Sequence, residues 1–441
     1  MGLNMARRFL FGLSLILCPL WSSASALAQE AAGEQAAIPP GTKITIQNWQ
    51  QYKQFMPDGM VALFEGKYFW QMPADLEMDI GPTVNRPLPT GYATATEKYG
   101  NQTQVVVLPD GRYDLRNYVA GLPFPNPAEP NKGWKILANY WFGIPSARIG
   151  AATLETGLQT GCFQDRFHYI SCGRGMNVFH RLAFISHPGH ARTEPGAGGA
   201  FLSEFHMIWE PENFKYLADL TIFYQDIKRE EENYVFVPAF RRTLRVATTA
   251  RCSPLFGGDW TKDDARGGFN GNISIFQSQF LRDQKILALT DLTTAPGKFP
   301  ENWDMPLGWA KPSWGPWSLH DVWVIDVRRI PLYAPGYCYG KRIMYMDKRL
   351  VKDWWEDLYD RNLKLWKVLS FEAGYRFSPG ANGDVLARGA GNMLDLQNDH
   401  ETFGWSAGRD GRDRVIDDEV PRQYEDIPRY SSPAGLSLIM R

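Results

Sequence analysis

A chain of 441 residues, 44% of them hydrophobic and 14% aromatic, is long enough to bury a sizeable core and too apolar for intrinsic disorder. Its 47 basic and 48 acidic residues give a formal net charge of −1, so the sequence lacks the basic excess of a general nucleic-acid-binding protein. The 16 Trp, 19 Tyr and 25 Phe, with 41 Gly and 30 Pro, favour strands and ordered loops over a helical bundle.

The N-terminus has the three parts of a secretory signal peptide. Arginines precede the apolar run 9–17, and the small residues Ala26 and Ala28 occupy the positions that a signal peptidase reads. The apolar run is too short to span a bilayer comfortably, which argues against the alternative of a transmembrane anchor. We therefore expect residues 1–28 to be removed by cleavage after Ala28, the protein to be exported to the periplasm, and residues 29–40 to form a flexible leader.

The cysteines that remain after this cleavage are even in number, as expected of disulfide-bonded proteins in an oxidising compartment. Cys162 and Cys172 flank a stretch that suits two neighbouring strands joined by a turn, so they are predicted to pair. Cys252 and Cys338 are then the remaining pair. The alternative, four free buried thiols, stays open, because apolar cysteines are often part of a core.

Helical signals are confined to the first part of the mature chain. Residues 45–66 contain two helix-compatible stretches separated by Pro57, with Asp58 as the predicted N-cap of the second stretch and Gly66 as its predicted end. Next, a Pro-Asp-Gly turn within residues 103–121 predicts a β-hairpin.

Strand signals dominate the rest of the sequence. Short runs of aromatic and β-branched residues, separated by turns, follow one another between residues 166 and 377. Many antiparallel strands in meander order predict a mainly β (α+β) fold, built on a large curved antiparallel sheet or barrel. Residues 406–441 are charged and poor in apolar side chains, and are predicted to form a tail or a strap on the surface.

The motifs of common enzyme classes are missing from the sequence. It contains no nucleophile elbow, no phosphate-binding glycine loop and no zinc-protease motif. No catalytic residue, cofactor or metal ligand is therefore predicted.

A glycine-flanked loop, residues 257–268, carries Asp259, Asp263 and Asp264. Carboxylates on such a loop can bind calcium, but the spacing does not match the EF-hand pattern, and Asp and Gly are also the usual residues of capped turns. We expect a structural loop in which at least one carboxylate accepts backbone N–H groups or meets an arginine.

A run of arginines precedes this loop in the sequence. Arg241 and Arg245 should share one face of a strand, and Arg242 the other. These three arginines could clamp a lipid phosphate, or the run, which continues to Arg251, could pair with the aspartate loop; pairing is the favoured interpretation.

Five tryptophans fall within 21 residues, among prolines and glycines that prevent regular structure. Such rings can line an apolar ligand site or lie at a membrane interface, or they can fill the core as a loop closing the end of a sheet. With two later tryptophans and one phenylalanine of the predicted helix they form the candidate apolar lining. Its members are Trp303, Trp309, Trp314, Trp317, Trp323, Trp354, Trp366 and Phe64.

Several segments together resemble an exported bacterial family known as domain of unknown function 1329. They are ATEKYG at residues 95–100, NYVAGLPFPNP at 117–127, FRRTLRV with LFGGDWTKDDARGGFNG within 240–271, and the stretch 341–368. The resemblance covers residues 41–405, which we interpret as a single domain.

The resemblance implies a fold similar to the periplasmic carriers of outer-membrane lipoprotein sorting. Such a fold is an unclosed β-barrel, or half-barrel, whose concave apolar face is covered by helices and loops. Family members look like partners of efflux-type transporters and outer-membrane proteins. No catalytic residues can be carried over.

These observations lead to three hypotheses of function. The first is a non-enzymatic periplasmic carrier or accessory protein that binds a lipid or other apolar molecule, serves an envelope transport system and contacts a membrane, such as the outer membrane, peripherally. The second is a structural or assembly partner of an envelope complex, recognised by a sheet edge or apolar patch. The third is a hydrolase that uses Asp259, Asp263 or His320.

Overall fold

The computed structural model of the chain describes residues 37–440, except residues 86, 144–147, 156, 248–250, 293–298, 373–389, 407–415 and 418–419. The predicted signal peptide with its cleavage site, most of the predicted leader and part of the predicted tail lie outside the described residues. Residues Pro39–Arg441 form one compact unit.

Strands dominate this unit, which confirms the mainly β fold class. The described strands, in chain order, are β1 (Lys43–Thr45), β2 (Glu77–Asp79), β3 (Gln104–Val107), β4 (Tyr113–Arg116), β5 (Ile149–Ala152), β6 (Gln159–Gln164), β7 (Ile170–Arg181), β8 (Ala200–Glu210), β9 (Ala218–Tyr224), β10 (Glu232–Val237), β11 (Arg242–Val246), β12 (Phe276–Leu289), β13 (Trp303–Asp304), β14 (Trp309–Ala310), β15 (Trp317–Arg329), β16 (Lys341–Asp347), β17 (Asp353–Tyr359), β18 (Leu365–Glu372), β19 (Ala390–Asp395), β20 (His400–Ser406) and β21 (Ile416–Asp417).

Fifteen of these strands form one antiparallel sheet that is not closed into a barrel. Its hydrogen-bonded order is β11-β10-β9-β8-β7-β6-β20-β19-β18-β17-β16-β15-β12, and β5 pairs with both β7 and β21. Apart from the junction of β6 with β20 and the pairing of β12 with β15, neighbours along this order are also neighbours in sequence, as predicted for a meander. β3 pairs with β4, which confirms the predicted hairpin.

The helices are short. They are α1 (Asp58–Phe64), α2 (Thr90–Tyr99), α3 (Lys132–Gly143), α4 (Ile427–Tyr430) and α5 (Pro433–Leu436), with 3-10 turns at Trp49–Phe55, Glu212–Phe214, Pro238–Phe240, Ile273–Ile275, Pro312–Trp314, Pro331–Tyr333 and Arg422–Glu425. The predicted break between two helical stretches is confirmed, but Asp58 is the first residue of α1 and Pro57 holds the N-cap position. None of the helices described has the length and hydropathy needed to cross a bilayer.

Two disulfides lie among the described residues. Cys162 and Cys172 are directly opposite one another on β6 and β7, with Cα atoms 4.1 Å apart. Cys252 and Cys338 join the chain after β11 to the connection before β16, with Cα atoms 5.7 Å apart. Both pairs are those that the sequence predicts.

The C-terminal residues 420–440 pack on one half of the sheet. Tyr424, Tyr430 and Leu436 are buried in one apolar cluster with side chains of β7, β8 and β9. The hydroxyl of Ser431 lies 2.8 Å from His180 Nδ1 and 2.7 Å from the Ser203 hydroxyl.

Candidate functional site

The other half of the sheet is covered on both faces, by two different segments of the chain. We call residues 299–317 the tryptophan segment and residues 251–271 the aspartate segment. Neighbouring residues of β20 distinguish the faces: Thr402 donates a hydrogen bond to Asp259 of the aspartate segment, whereas the Phe403 ring lies 5.5 Å from Trp303 of the tryptophan segment. Successive side chains of a strand point to opposite faces, so the two segments lie on opposite sides of the same strands.

Helix α1 lies on the same face as the tryptophan segment. Asp357 of β17 accepts a hydrogen bond from the backbone N–H of Gly59 in α1 at 3.0 Å. The strand register places Asp357 opposite Val368, and Ser370, on the same face as Val368, opposite Asn392. Asn392 in turn donates to the carbonyl of Gly308 in the tryptophan segment at 3.1 Å.

Two groups of aromatic rings lie on this face. Phe64 of α1 lies 5.8 Å from Trp309 and 5.2 Å from Trp49, and Trp309 stacks on Trp317 at 5.5 Å. Trp303 lies 4.6 Å from Trp314. We call these rings, with Phe403 of the sheet, the aromatic layer.

The structure brings together most, but not all, of the predicted lining residues. Trp303, Trp309, Trp314, Trp317 and Phe64 are buried in the aromatic layer. The other three predicted residues lie elsewhere: half-buried Trp323 in the middle of β15, Trp354 against the ring of His320, and Trp366 against the ring of Tyr339. Trp49, which completes the layer, was missed because it lies alone in a predicted helix.

Close backbone contact holds the tryptophan segment on the sheet. Gly308 adopts a left-handed φ of +71°, and a Cβ atom there would collide with Glu401 and Phe403 of β20. Gln164 of β6 donates to the carbonyl of Pro306 at 2.7 Å. The indole N–H of Trp309 is buried and has no acceptor among the described residues. A buried donor without a partner is costly to the stability of the folded protein.

Asp357 links α1 to the sheet and is titratable near neutrality. It is fully buried and also accepts from the indole N–H of Trp355 at 2.8 Å and from Tyr345 at 3.3 Å. Burial raises the pKa of Asp357 to about 7, helped by the charge of Asp58.

The aspartate segment is held by buried ion pairs. Arg342 of β16 donates to Asp264 at 2.7 Å, to Glu356 at 3.1 Å and to the carbonyl of Gly268 at 2.7 Å. Gly268 has a φ of +117° and approaches Glu356 so closely that no Cβ would fit. Burial and the neighbouring Asp353 raise the pKa of Glu356 well above its usual value.

A second arginine secures the start of this segment. Arg251 contacts Asp263 and donates to Glu231 at 2.9 Å, with all three side chains buried. Burial alone would raise the pKa of Asp263, but the charges of Arg251 and two further arginines outweigh it and hold the pKa below its usual value.

The prediction of a structural loop is confirmed for the aspartate segment. Asp264 accepts from the backbone N–H of Thr261 at 2.8 Å, and both Asp263 and Asp264 meet arginines. Asp259 accepts from Thr402, and burial raises its pKa to about 6. The described residues contain no group of three or more side chains placed to hold a metal ion.

The three arginines of the predicted phosphate clamp lie at the sheet edge. Arg241 belongs to the turn before β11, with a φ of +48°, so it does not alternate with Arg245 on one strand as predicted. Arg245 pairs with Glu232 at 3.5 Å rather than with the aspartate segment. Arg241, Arg242 and Arg245 are exposed, so of the whole run Arg251 is the one seen to bind that segment.

A Ser-His-Asp arrangement near the start of β15 was not predicted from the sequence. His320 Nδ1 lies 3.0 Å from Asp347 Oδ2, and its Nε2 lies 3.1 Å from Ser318 Oγ and 3.2 Å from Thr290 Oγ1. The pKa of Asp347, which burial alone would raise, is lowered by His320. All four side chains are buried, so as it stands the arrangement links strands rather than receiving a substrate.

The residues of the hydrolase hypothesis belong to three separate networks. Asp259 bonds to Thr402, Asp263 contacts Arg251, and His320 contacts Asp347. General acid and base must reach the same substrate, and these groups have different partners on different strands. A surface depression lies in the C-terminal part of the chain. It is lined by Arg422, Gln423, Asp426, Arg429 and Tyr430, and by none of the predicted site residues.

Comparison with solved structures gives distant matches. A putative outer membrane lipoprotein-sorting protein domain from Vibrio parahaemolyticus is 13% identical, with a TM-score of 0.44 over 66% of this chain and 95% of that one. A DUF1329 family protein from Desulfovibrio piger is 10% identical, with a TM-score of 0.46 over 69% and 100%. A LolA superfamily protein from Nitrosomonas europaea is 13% identical, with a TM-score of 0.34 over 62% and 90%.

Sequence comparison places the chain in a family. No curated protein matches it. The family described as "Protein of unknown function (DUF1329)" matches residues 43–427. This match is most of the chain and includes both the aspartate segment and the tryptophan segment. The resemblance seen in the sequence is thereby confirmed, and the chain belongs to the DUF1329 family.

Proposed function

We propose that this protein is a non-enzymatic carrier of a lipid or another apolar molecule, and that the aromatic layer is its binding site, closed in this structure. The observation that carries the proposal is the construction of the layer. Four tryptophans of one nearly irregular segment are buried on the sheet under a short helix, and the indole N–H of Trp309 has no acceptor among the described residues.

An acyl chain can take the place of such rings on a sheet. Contact between apolar surfaces is non-directional and scales with the area removed from water, so a methylene chain can replace an aromatic ring without matching hydrogen bonds. The Trp309 N–H would donate to a carboxylate or ester oxygen of the ligand. Opening requires α1 and the tryptophan segment to separate from the sheet.

The predicted signal peptide supports a periplasmic location. We also propose that the carrier serves an envelope transport system, with an efflux-type transporter or an outer-membrane protein as its partner. These partners follow from the resemblance described above and are part of the proposal.

Lipid analysis and a fluorescent probe test the proposal. Protein purified from the periplasm is examined by native mass spectrometry for bound lipid, then stripped and titrated with a dansylated fatty acid. We expect Trp309→Ala to weaken probe binding about tenfold or more, since burying a large apolar side chain contributes about 1.5–3 kcal/mol. Trp309→Phe keeps an apolar ring but deletes the N–H donor, so it should weaken probe binding less than Trp309→Ala does.

Trp209→Ala is the matched control. Trp209 is a half-buried tryptophan of β8 that packs against Tyr216 and Lys215, away from the aromatic layer. The Trp209→Ala variant should leave probe binding unchanged. A wild-type protein that carries no lipid and binds no probe would refute the carrier function, and equal losses in Trp309→Ala and Trp209→Ala would refute this site.

A second candidate function, docking of an envelope protein, is supported by the edge strand β11. It pairs with β10 on one side, and beside the three exposed arginines it exposes Leu244, next to Phe240 of the preceding turn. Exposed edges can accept a further strand, although charged side chains on an edge also prevent such pairing. Loss of a co-purified envelope protein from Leu244→Pro, together with a wild type that binds no probe, would support this function over the carrier.

A further inference from the structure

The hairpin tip between β6 and β7 presents apolar rings to solvent. Phe167 is 80% and Tyr169 is 68% exposed, and Ile170 begins β7 beside them. Phe69, from the segment that follows α1, is exposed next to the tip. We call these four residues the aromatic tip. Isolated exposed apolar residues are common, but four large ones around one turn form a patch that calls for a function.

The turn of the aromatic tip makes several backbone hydrogen bonds of its own. Asp165 Oδ1 accepts from the backbone N–H groups of Phe167 at 2.8 Å and Tyr169 at 3.0 Å, and the Asp165 carbonyl accepts from His168 at 2.9 Å. The Cys162–Cys172 disulfide ties the two strands directly below the turn. The N–H groups of Phe167, His168 and Tyr169 therefore have partners within the turn.

A cation lies among the rings. The guanidinium carbon of Arg166 is 5.7 Å from the Phe69 ring centre and 5.9 Å from that of Phe167. Its Nη1 atom is 3.7 Å from Asp399 Oδ2. Aromatic side chains next to a cation on a projecting turn suit the boundary of a bilayer, where rings enter the acyl region and the cation stays with the phosphates.

We propose that the aromatic tip docks this protein on a lipid bilayer surface. A turn whose N–H groups are largely bonded within it has fewer polar groups left unpaired when it leaves water, and unpaired polar groups are costly in a bilayer. Because Arg166 is already paired with Asp399, the rings rather than lipid charge should supply most of the attraction. Docking goes beyond the carrier function and does not depend on a bound ligand.

Vesicle flotation tests the docking. The full mature protein is mixed with vesicles of phosphatidylethanolamine and phosphatidylglycerol, or of phosphatidylcholine alone. We expect the wild type to float with both, and Phe167→Ser/Tyr169→Ser to lower the vesicle-bound to free ratio by at least about tenfold. Phe167→Trp keeps a ring suited to the interface and should retain binding.

The control removes exposed apolar side chains that belong to neither proposed surface. Leu332, 68% exposed, lies in the turn after β15, and Leu363, 49% exposed, lies in the turn between β17 and β18; Leu332→Ser/Leu363→Ser should float like the wild type. A wild type that does not float, a tip variant that floats fully, or an equal loss in the control would overturn the proposal. A tip variant that loses a co-purified envelope protein, with no wild-type flotation, would assign the tip to a protein partner instead. The dansylated fatty acid titration on the same variants reports separately on the carrier site.

Discussion

The aspartate segment and the tryptophan segment cover opposite faces of the same strands by different physical means. Arg251 and Arg342 hold the aspartate segment through buried ion pairs, and Cys252 fastens its start to Cys338. The tryptophan segment is held mainly by rings, among them the stacked pair of Trp309 and Trp317.

Because of this difference, we interpret the aspartate segment as a fixed cover of the sheet and the tryptophan segment as an exchangeable one. Breaking a buried ion pair leaves an uncompensated charge, so the aspartate segment can leave the sheet only at a large cost in free energy. Ring packing is non-directional, so another apolar molecule can replace it. The ionic side therefore suits a scaffold, and the aromatic side is the one at which we propose that a ligand enters.

Removing the long-range disulfide should have the largest effect. Cys252 and Cys338 are 86 positions apart, so the bond restricts the unfolded chain strongly, and Cys252→Ser/Cys338→Ser should lower the free energy of unfolding by about 4–5 kcal/mol. The control, Cys162→Ser/Cys172→Ser, removes a bond between residues 10 apart and should cost about 2–3 kcal/mol in urea unfolding. Equal losses would contradict the covalent fastening of the aspartate segment.

Arg342→Met should have the next largest effect on stability. It leaves Asp264 and Glu356 buried without their cation, and we expect the free energy of unfolding to fall by about 3–5 kcal/mol. Arg328→Met removes a partly exposed arginine that pairs with Asp326 on β15, and should cost at most about 1 kcal/mol. A loss in Arg342→Met no larger than in Arg328→Met would show that the ionic side is not the fixed cover.

The link between α1 and the sheet should depend on pH. The pKa of Asp357 in the folded protein is about 7, above the ordinary 3.8, so the native state holds the proton more tightly and stability falls as pH rises between these values. Asp357→Asn removes this dependence, and should exceed the wild type in stability at pH 8 by on the order of 2 kcal/mol.

Urea unfolding of both proteins from pH 4 to pH 8 measures this difference. The exposed Asp283 serves as control, since Asp283→Asn should follow the wild-type pH profile. A constant difference between Asp357→Asn and the wild type across this pH range would contradict the titration of Asp357 near neutrality.

The smallest effect is expected for Trp309→Phe, which we compare with Trp354→Phe. Trp309→Phe deletes a buried donor that has no acceptor among the described residues, and should change the free energy of unfolding by at most about 1 kcal/mol. Trp354→Phe deletes the same group where it donates to Asp347 at 2.9 Å, and should cost about 1.5–3 kcal/mol more. Thermal and urea unfolding of both variants measure the difference, and equal losses would mean that the Trp309 N–H has a partner.

Local features of the chain followed from its sequence. Alternation along β17 puts Glu356 and Asp357 on opposite faces, and in the structure Glu356 accepts from Arg342 whereas Asp357 accepts from Gly59 of α1. Turn residues located the β3–β4 hairpin, and the even number of cysteines with their spacing located both disulfides. These features depend on residues close in sequence or on a small number of possible pairings.

The tertiary structure alone decided which partners meet. The distance in sequence between Asp264 and Arg342, or between His320 and Asp347, gives no sign that they touch, since strand order and register bring them together. The charged composition of the C-terminal residues likewise did not reveal that Tyr424 and Tyr430 pack on the sheet. Alternation shows that Thr402 and Phe403 face opposite ways, but only the folded sheet determines which cover each one meets, because that choice depends on long-range contacts that a two-residue period does not encode.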